Sequence, residues 1–471
     1  NGVNDDLVET YSTELSANFQ FNRLSGNLGG YYFQSREDFS FDIIGPLASL
    51  APPGVTVNPP ETLLTANTET STRTENFAFY GQLRFELNEK WTLSAGLRYD
   101  NESFSTTGLI ADTSLSEPIC SVSVPGVFLQ LPVPAIELPC TTAVAILGGG
   151  GGAGGGDTGP QADTFDAFLP KGSITYNFTD DISTFFAVQR GYRAGGTFVQ
   201  QTTAPDPNGG VPQPVTILGT FDPEFLTNFE LGLRSQFLDR TLTVNGSVFF
   251  SILDDQQISL PGPTGGVLDF FTDNVGQSQI YGLEVSVDYQ PTDELNVYGS
   301  LGLLGSEFTD FPFAINFPDS PFFDLDGNEP ALAPNVTFTI GGSYNHRSGL
   351  FVDGSLNFTG PSESGIENLR VEDFLDPAIP GSFADLGIDP ALAEGLDEVS
   401  DSRSIVNVRV GYRHENFTLS AFATNLFDDG GLLQQNFASV LPQDSSLNLF
   451  LVPNFTIQQP QTFGVQLDVN F

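Results

Sequence analysis

Thr462-Phe463-Gly464-Val465-Gln466-Leu467-Asp468-Val469-Asn470-Phe471 closes the 471-residue chain. Phe463, Val465, Leu467, Val469 and Phe471 alternate there with Thr462, Gly464, Gln466, Asp468 and Asn470. Successive side chains of a strand point to opposite faces, so one face of this stretch is wholly apolar and the other polar or small. A soluble edge strand alternates in the same way, but free ends are ordinarily frayed and solvated. A last strand that stops on an aromatic residue points instead to an all-β, transmembrane antiparallel barrel, with lipid on its apolar face and a lumen on its polar one.

The composition is compatible with that expectation. Hydrophobic residues make up 39% of the chain without any run of 18 apolar residues, so no helix is expected to cross a bilayer. Lipid offers backbone N–H and C=O groups no partners, and strands satisfy them in a membrane only when closed into a cylinder. The 50 Gly, 32 Pro and 43 Phe suit many turns and aromatic girdles. Against 58 Asp and Glu stand 16 Lys and Arg, and the net charge of −42 opposes a nucleic-acid partner. The acidic excess reads as solubility of long exposed loops, with attraction of cations as the rival reading.

Cys120 and Cys140 stand 20 residues apart in one Pro-rich segment. A disulfide between them is expected, and it fits an oxidising compartment outside the cytoplasm. The rival reading, a metal pair, lacks a neighbouring His. The start, Asn1-Gly2-Val3-Asn4-Asp5-Asp6, has neither the basic opening nor the apolar core of a signal peptide, which marks a processed or incomplete product.

Taken in order, the chain reads as strand pairs: 7–21 with 24–41, 72–87 with 91–103, 167–178 with 182–192 and 228–237 with 241–253. The pairs 274–289 with 295–307, 334–345 with 350–360 and 404–412 with 417–425 follow, ahead of the closing strand. Short turns such as Asn22-Arg23, Asn88-Glu89-Lys90 and Leu238-Asp239-Arg240 join the members of each pair. Long loops join one pair to the next: 43–71 is Pro-rich, and 106–163 holds both cysteines and a glycine run at 148–152. Without an ordered turn and a following helix, that run is a flexible tract rather than a phosphate cradle. Sandwiches and propellers do not share this asymmetry of short turns on one side and long loops on the other. About fifteen strands are expected, and since single-chain bacterial barrels have even numbers, the odd count predicts that the front of the barrel lies outside this chain.

Several stretches together carry a family resemblance. They are Gln189-Arg190-Gly191-Tyr192-Arg193-Ala194-Gly195-Gly196-Thr197-Phe198, Asn228-Phe229-Glu230-Leu231-Gly232-Leu233-Arg234, Tyr281-Gly282-Leu283-Glu284, Asn425-Leu426-Phe427-Asp428 and the closing strand. In this order they resemble the C-terminal part of TonB-dependent outer-membrane receptors, over residues 1–471. The resemblance implies a barrel of about 22 strands around an N-terminal plug, of which this chain covers roughly the last 15. It further implies a bacterial outer-membrane location among lipid and lipopolysaccharide, a small-molecule solute such as an iron–siderophore complex, and drive from the inner-membrane TonB complex through a plug that this chain lacks.

Individual residues are less telling. If Phe186 and Val188 face lipid, Arg193 faces the lumen, where it is the candidate contact for an anionic ligand or simply a hydrated arginine. Arg190 then lies near the outer headgroups. Glu284, Ser286 and Asp288 share the face opposite Tyr281, Leu283, Val285, Val287 and Tyr289 and read as lumenal wall. His346 and His414 fall in short turns on the periplasmic side, away from any haem at the outer mouth. With no histidine on the outer side, neither a Ser-His nor a Cys-His pair is expected there, and no catalysis or cofactor is expected. Loop 311–330, with Phe313, Phe317, Phe322 and Phe323, offers aromatic contacts to a solute. An energised uptake receptor is the leading reading. A passive porin and a surface-exposed adhesion or scaffold barrel are the alternatives.

Overall fold

The computed structural model describes residues 2–46, 56–58, 63–110, 114–115, 121–126, 133–139, 156–157, 161–204, 213–261, 270–311, 325–365, 399–440 and 450–469. Fifteen long strands form its main sheet among these residues. They are β1 Gly2–Phe21, β2 Leu24–Pro46, β3 Leu63–Glu86, β4 Trp91–Ile110, β5 Gln161–Asn177, β6 Ile182–Arg193, β7 Glu224–Phe237 and β8 Leu242–Asp254. Then come β9 Gln277–Tyr289, β10 Leu295–Asp310, β11 Val336–Asn345, β12 Leu350–Thr359, β13 Arg403–Arg413, β14 Phe417–Thr424 and β15 Thr462–Val469. Each pairs antiparallel with the one before it, from β1–β2 to β14–β15. Among the described residues none is helical.

Turn chemistry closes the short side. Asn22 takes φ 49° in the two-residue β1–β2 turn, a conformation its short amide side chain tolerates. Gly349 takes φ +94° before β12, where an added Cβ would stand 2.2 Å from the Arg413 carbonyl oxygen. Only glycine fits there.

Register places the apolar face. Rows of cross-strand partners run Phe21, Leu24, Phe85, Leu93 and Ile174 near the short turns, and Leu15, Gly30, Phe79, Tyr99 and Phe168 further out. These side chains have no protein over them: Leu15 is 82% exposed and Phe79 67%. Along β3 the apolar set runs from Leu87, just past the strand, out to Phe77, ten residues at about 3.3 Å each and so about 33 Å of strand. Tilted by about 40°, that length projects to about 25 Å, the height of an outer-membrane apolar band. Aromatic pairs mark both edges. Trp91–Tyr176 at 4.5 Å and Tyr176–Phe178 at 4.8 Å stand by the short turns; Tyr32–Phe77 at 4.7 Å and Tyr99–Phe168 at 4.9 Å stand on the far side.

β2, β3, β4 and β5 run further out than the alternation predicts. Residues 43–46 and 63–71, expected as loop, are strand. Beyond the bilayer both faces of a strand are wet, so Thr-Glu-Thr-Ser-Thr-Arg-Thr of 68–74 keeps its pairing without an apolar face. Parts of other predicted loops also form strands, including the pair Gly196–Ala204 with Gln213–Phe221 and the pair Gln257–Pro261 with Phe270–Asn274. Within 106–163, Ser121–Gly126 pairs with Val133–Pro139. Ile258, Val275, Phe308, Phe311 and Leu325 bury one another beneath the second hairpin, a small water-excluding core outside the bilayer.

Candidate functional site: the lumen and its outer mouth

The face opposite the apolar one lines the lumen. It is polar and carries charges of both signs: Arg84, Arg98, Lys171, Arg193, Arg234, Arg403, Arg409 and Arg413 take lumenal positions in the register, and so do Glu14, Glu86, Asp100, Glu102, Glu224, Glu230, Glu284, Asp288, Asp353 and Asp468. Arg409 Nη2 donates to Gln466 Oε1, and the Arg234 guanidinium lies 4.6 Å from the Phe185 ring centroid, so the lumenal wall holds its arginines in place.

The outer end of β6 does something the sequence did not reveal. Pairing of β5 with β6 stops at Lys171 and Gln189, although β5 continues outward on β4 as far as Gln161. Past that point β6 crosses to the lumenal side of β5. The position of a Cβ on Gly195 lies 2.6 Å from the Phe165 ring, and Thr197 Oγ1 lies 2.9 Å from Thr106 Oγ1 on β4. Tyr192, whose alternation would place it outward, therefore meets the inner wall. Its hydroxyl donates to Glu102 Oε2 at 3.1 Å, and Asn76 Nδ2 donates to the same oxygen at 3.1 Å. Beside them Arg98 grips Asp100 with two hydrogen bonds of 2.6 and 2.7 Å. Asp100, Thr106, Asn76 and Phe165 are buried beneath the crossing.

With the crossing in place, Arg193 faces the lumen near its mouth. Its side chain is 69% exposed, and its Nη1 stands 3.9 Å from Glu224 Oε1. Glu224 is itself held by the Gln257 backbone N–H at 2.8 Å, while Gln257 Nε2 donates to the Ala194 carbonyl at 2.8 Å. Asn274 ties the same rim together: its Nδ2 donates to the carbonyls of Asp222 and Asp255, and its Oδ1 accepts from the Asp222 N–H. This stretch of the mouth is thus a hydrogen-bonded rim that carries the exposed Arg193 guanidinium.

Arg190 keeps the outward alternation of Phe186 and Val188 at the outer end of β6, its guanidinium 4.1 Å from the Phe225 ring centroid. Glu284, Ser286 and Asp288 sit on the lumenal wall. His346, in the β11–β12 turn, has Nδ1 2.8 Å from Ser348 Oγ, and His414 stacks on Phe417 in the β13–β14 turn. Cys120, Cys140 and the aromatic residues Phe313, Phe317, Phe322 and Phe323 lie outside the described residues. Among the described residues no group of three or more His, Cys, Asp and Glu is placed to hold a metal ion. Asn76 and Glu102 are cross-strand partners on β3 and β4, but Tyr192 reaches them only through the crossing, so the group of three went unrecognised in the sequence.

A lipid-facing apolar band, two aromatic girdles and a polar, arginine-bearing lumen define a bacterial outer-membrane β-barrel. The sequence matches the family TonB dependent receptor-like, beta-barrel over residues 1–426, and the chain belongs to that family. Members of this family are transporters rather than enzymes. Among solved structures it is similar to the siderophore receptor PiuA from Acinetobacter baumannii, at 15% identity and TM-score 0.62, covering 99% of this chain and 56% of that one. It is also similar to the ferric-catecholate import receptor Fiu from E. coli K12, at 15% identity and TM-score 0.59, covering 98% and 54%. The ferric yersiniabactin uptake receptor FyuA from Yersinia pestis is similar at 16% identity and TM-score 0.54, covering 100% and 59%. The chain therefore spans a little over half the length of these receptors.

Proposed function

We propose that this chain is the barrel portion of a receptor that takes up a scarce, large solute through the outer membrane, with an anionic ferric siderophore complex as the first candidate. In this reading a plug and further strands come from polypeptide outside 1–471, and the plug conveys drive from the TonB complex. Arg193 contacts the solute at the mouth, and Cys120 pairs with Cys140 in the outer loop. The observation that carries the proposal is the exposed Arg193 guanidinium at the lumenal mouth of a chain that belongs to the TonB-dependent receptor barrel family. A guanidinium at the mouth attracts and orients an anionic complex through charge-assisted hydrogen bonds.

The test is uptake of iron-55 presented on catecholate, hydroxamate and citrate chelators by cells carrying the full-length protein. Accumulation is expected with one chelator class, abolished by removal of TonB and reduced by Arg193→Ala. Steady ion conductance of the reconstituted full-length protein, together with TonB-independent entry of small solutes, would replace this reading with a passive porin. Binding to a matrix or host surface without uptake would replace it with an adhesion barrel.

A further inference from the structure

Pro170 is where the wall divides. β5 pairs with β6 up to Lys171 and Gln189, and Pro170, the first residue past that point, has no N–H for a neighbouring strand. β6 and β7 stay paired as far as Arg193 and Glu224, so the two leave β5 together as a ribbon. That ribbon lies over the lumenal face of β4 and β5, and three successive lumen-facing positions of β4 meet it. Glu102 accepts from the Tyr192 hydroxyl, Phe104 packs with Phe165 against Gly195, and Thr106 meets Thr197. Phe104, Thr106 and Phe165 are buried although they face the lumen, because a second layer covers them.

Stacked sheets stand about 10 Å apart. Tyr192 and Arg193 are consecutive in an extended strand, so with Tyr192 turned onto the wall, Arg193 points the other way, toward the barrel axis, from a backbone carried about 10 Å inward. Were β6 still on β5, alternation would turn Tyr192 out of the barrel and leave Arg193 at the wall. Asn76, the direct partner of Glu102 on β3, donates to the same carboxylate oxygen and holds it ready for the phenol.

We propose that Tyr192 and Glu102 are positioning residues: their hydrogen bond holds the β6–β7 ribbon off the wall and sets how far Arg193 reaches into the mouth. The inference rests on the reading of Arg193 as the solute contact. Tyr192 and Glu102 are turned to each other between the two layers and act through Arg193, not on the solute. Retracting Arg193 by about 10 Å takes its guanidinium away from a complex on the axis, so capture weakens while the later, driven step keeps its rate.

The experiment joins two readouts on the full-length protein. One is cellular uptake of iron-55 on whichever chelator class, catecholate, hydroxamate or citrate, the wild type accumulates. The other is the rate at which Thr106→Cys/Thr197→Cys crosslinks in purified protein under mild oxidant, with no solute present. Tyr192→Phe and Glu102→Leu are each expected to raise the half-saturating chelate concentration about tenfold at an unchanged maximal rate, and to slow crosslinking about fivefold. Glu102→Gln keeps an acceptor for the phenol and is expected to restore both. In an Arg193→Ala background, Tyr192→Phe should add nothing to the shift that Arg193→Ala makes alone. Additive shifts overturn the proposal, and so does crosslinking that neither Tyr192→Phe nor Glu102→Leu slows. A reduced maximal rate at an unchanged half-saturating concentration also overturns it, since that marks only a loss of folded receptor. Wild-type uptake by Arg193→Ala would overturn the solute reading itself; the crosslinking rate, which needs no solute, then decides whether the hydrogen bond places the ribbon.

Discussion

Replacing Leu83 with arginine tests the orientation of the whole sheet. Leu83 lies on β3 four residues from Leu87 and six from Phe77, close to the middle of the apolar band, and is 46% exposed with lipid as its only neighbour beyond the sheet. An arginine at the bilayer midplane of a barrel costs about 2 to 4 kcal/mol, falling to about 0 to 1 kcal/mol near the interfaces. Leu83→Arg should therefore shift the folding equilibrium about a hundredfold, whereas Phe77→Arg, at the band's edge, should cost no more than about 1 kcal/mol. Gln82→Arg is the internal control. Its side chain points into the lumen, and its cost should stay within about 0.5 kcal/mol. The assay is denaturant titration of the full-length protein folded into vesicles, followed by heat-modified gel mobility. If Gln82→Arg and Leu83→Arg cost the same, or if Phe77→Arg costs more than Leu83→Arg, the inside and outside of the barrel have been assigned wrongly.

The crossing of β6 gives a second expected outcome. Thr106→Cys/Thr197→Cys, at positions whose hydroxyl oxygens lie 2.9 Å apart, should form a disulfide spontaneously in the full-length protein, and oxidation should leave the barrel folded; a pair that stays reduced under mild oxidant would refute the crossing. Asn425→Ala should destabilise by about 1 to 3 kcal/mol, because the buried amide donates to the carbonyls of Asp429 and Gln459 and accepts from the Asp429 N–H; faster hydrogen exchange near 459–461 is the readout. Gly349→Ala should cost about 1 kcal/mol or more from its positive φ and the carbonyl it would meet, with slower folding and an unchanged lumen.

How much of this could be read from the sequence depends on whether a residue touches lipid. Within the bilayer the contrast between faces is absolute, so Trp91, Leu93, Leu97 and Tyr99 on one side and Thr92, Ser94 and Arg98 on the other were assigned correctly by alternation alone. Outside it, water wets both faces, the alternation disappears, and the outward extensions at 43–46 and 63–71 read as loop. The position of Arg193 on the lumenal face followed from the same alternation. Tyr192 did not follow it, because its environment is set by β6 leaving β5. The signal for that departure was present in Gly195, where a Cβ would stand 2.6 Å from the Phe165 ring.

The most direct test of the membrane assignment uses Trp91, the one tryptophan of this chain, which lies 4.5 Å from the Tyr176 ring in the girdle beside the short turns. In full-length protein with Trp91 as its sole tryptophan, fluorescence should be quenched strongly by lipids brominated near the headgroup, weakly by lipids brominated near the bilayer centre, and hardly at all by aqueous iodide. Strong quenching by iodide with no response to either brominated lipid would place this face in water and contradict the barrel's position in the membrane.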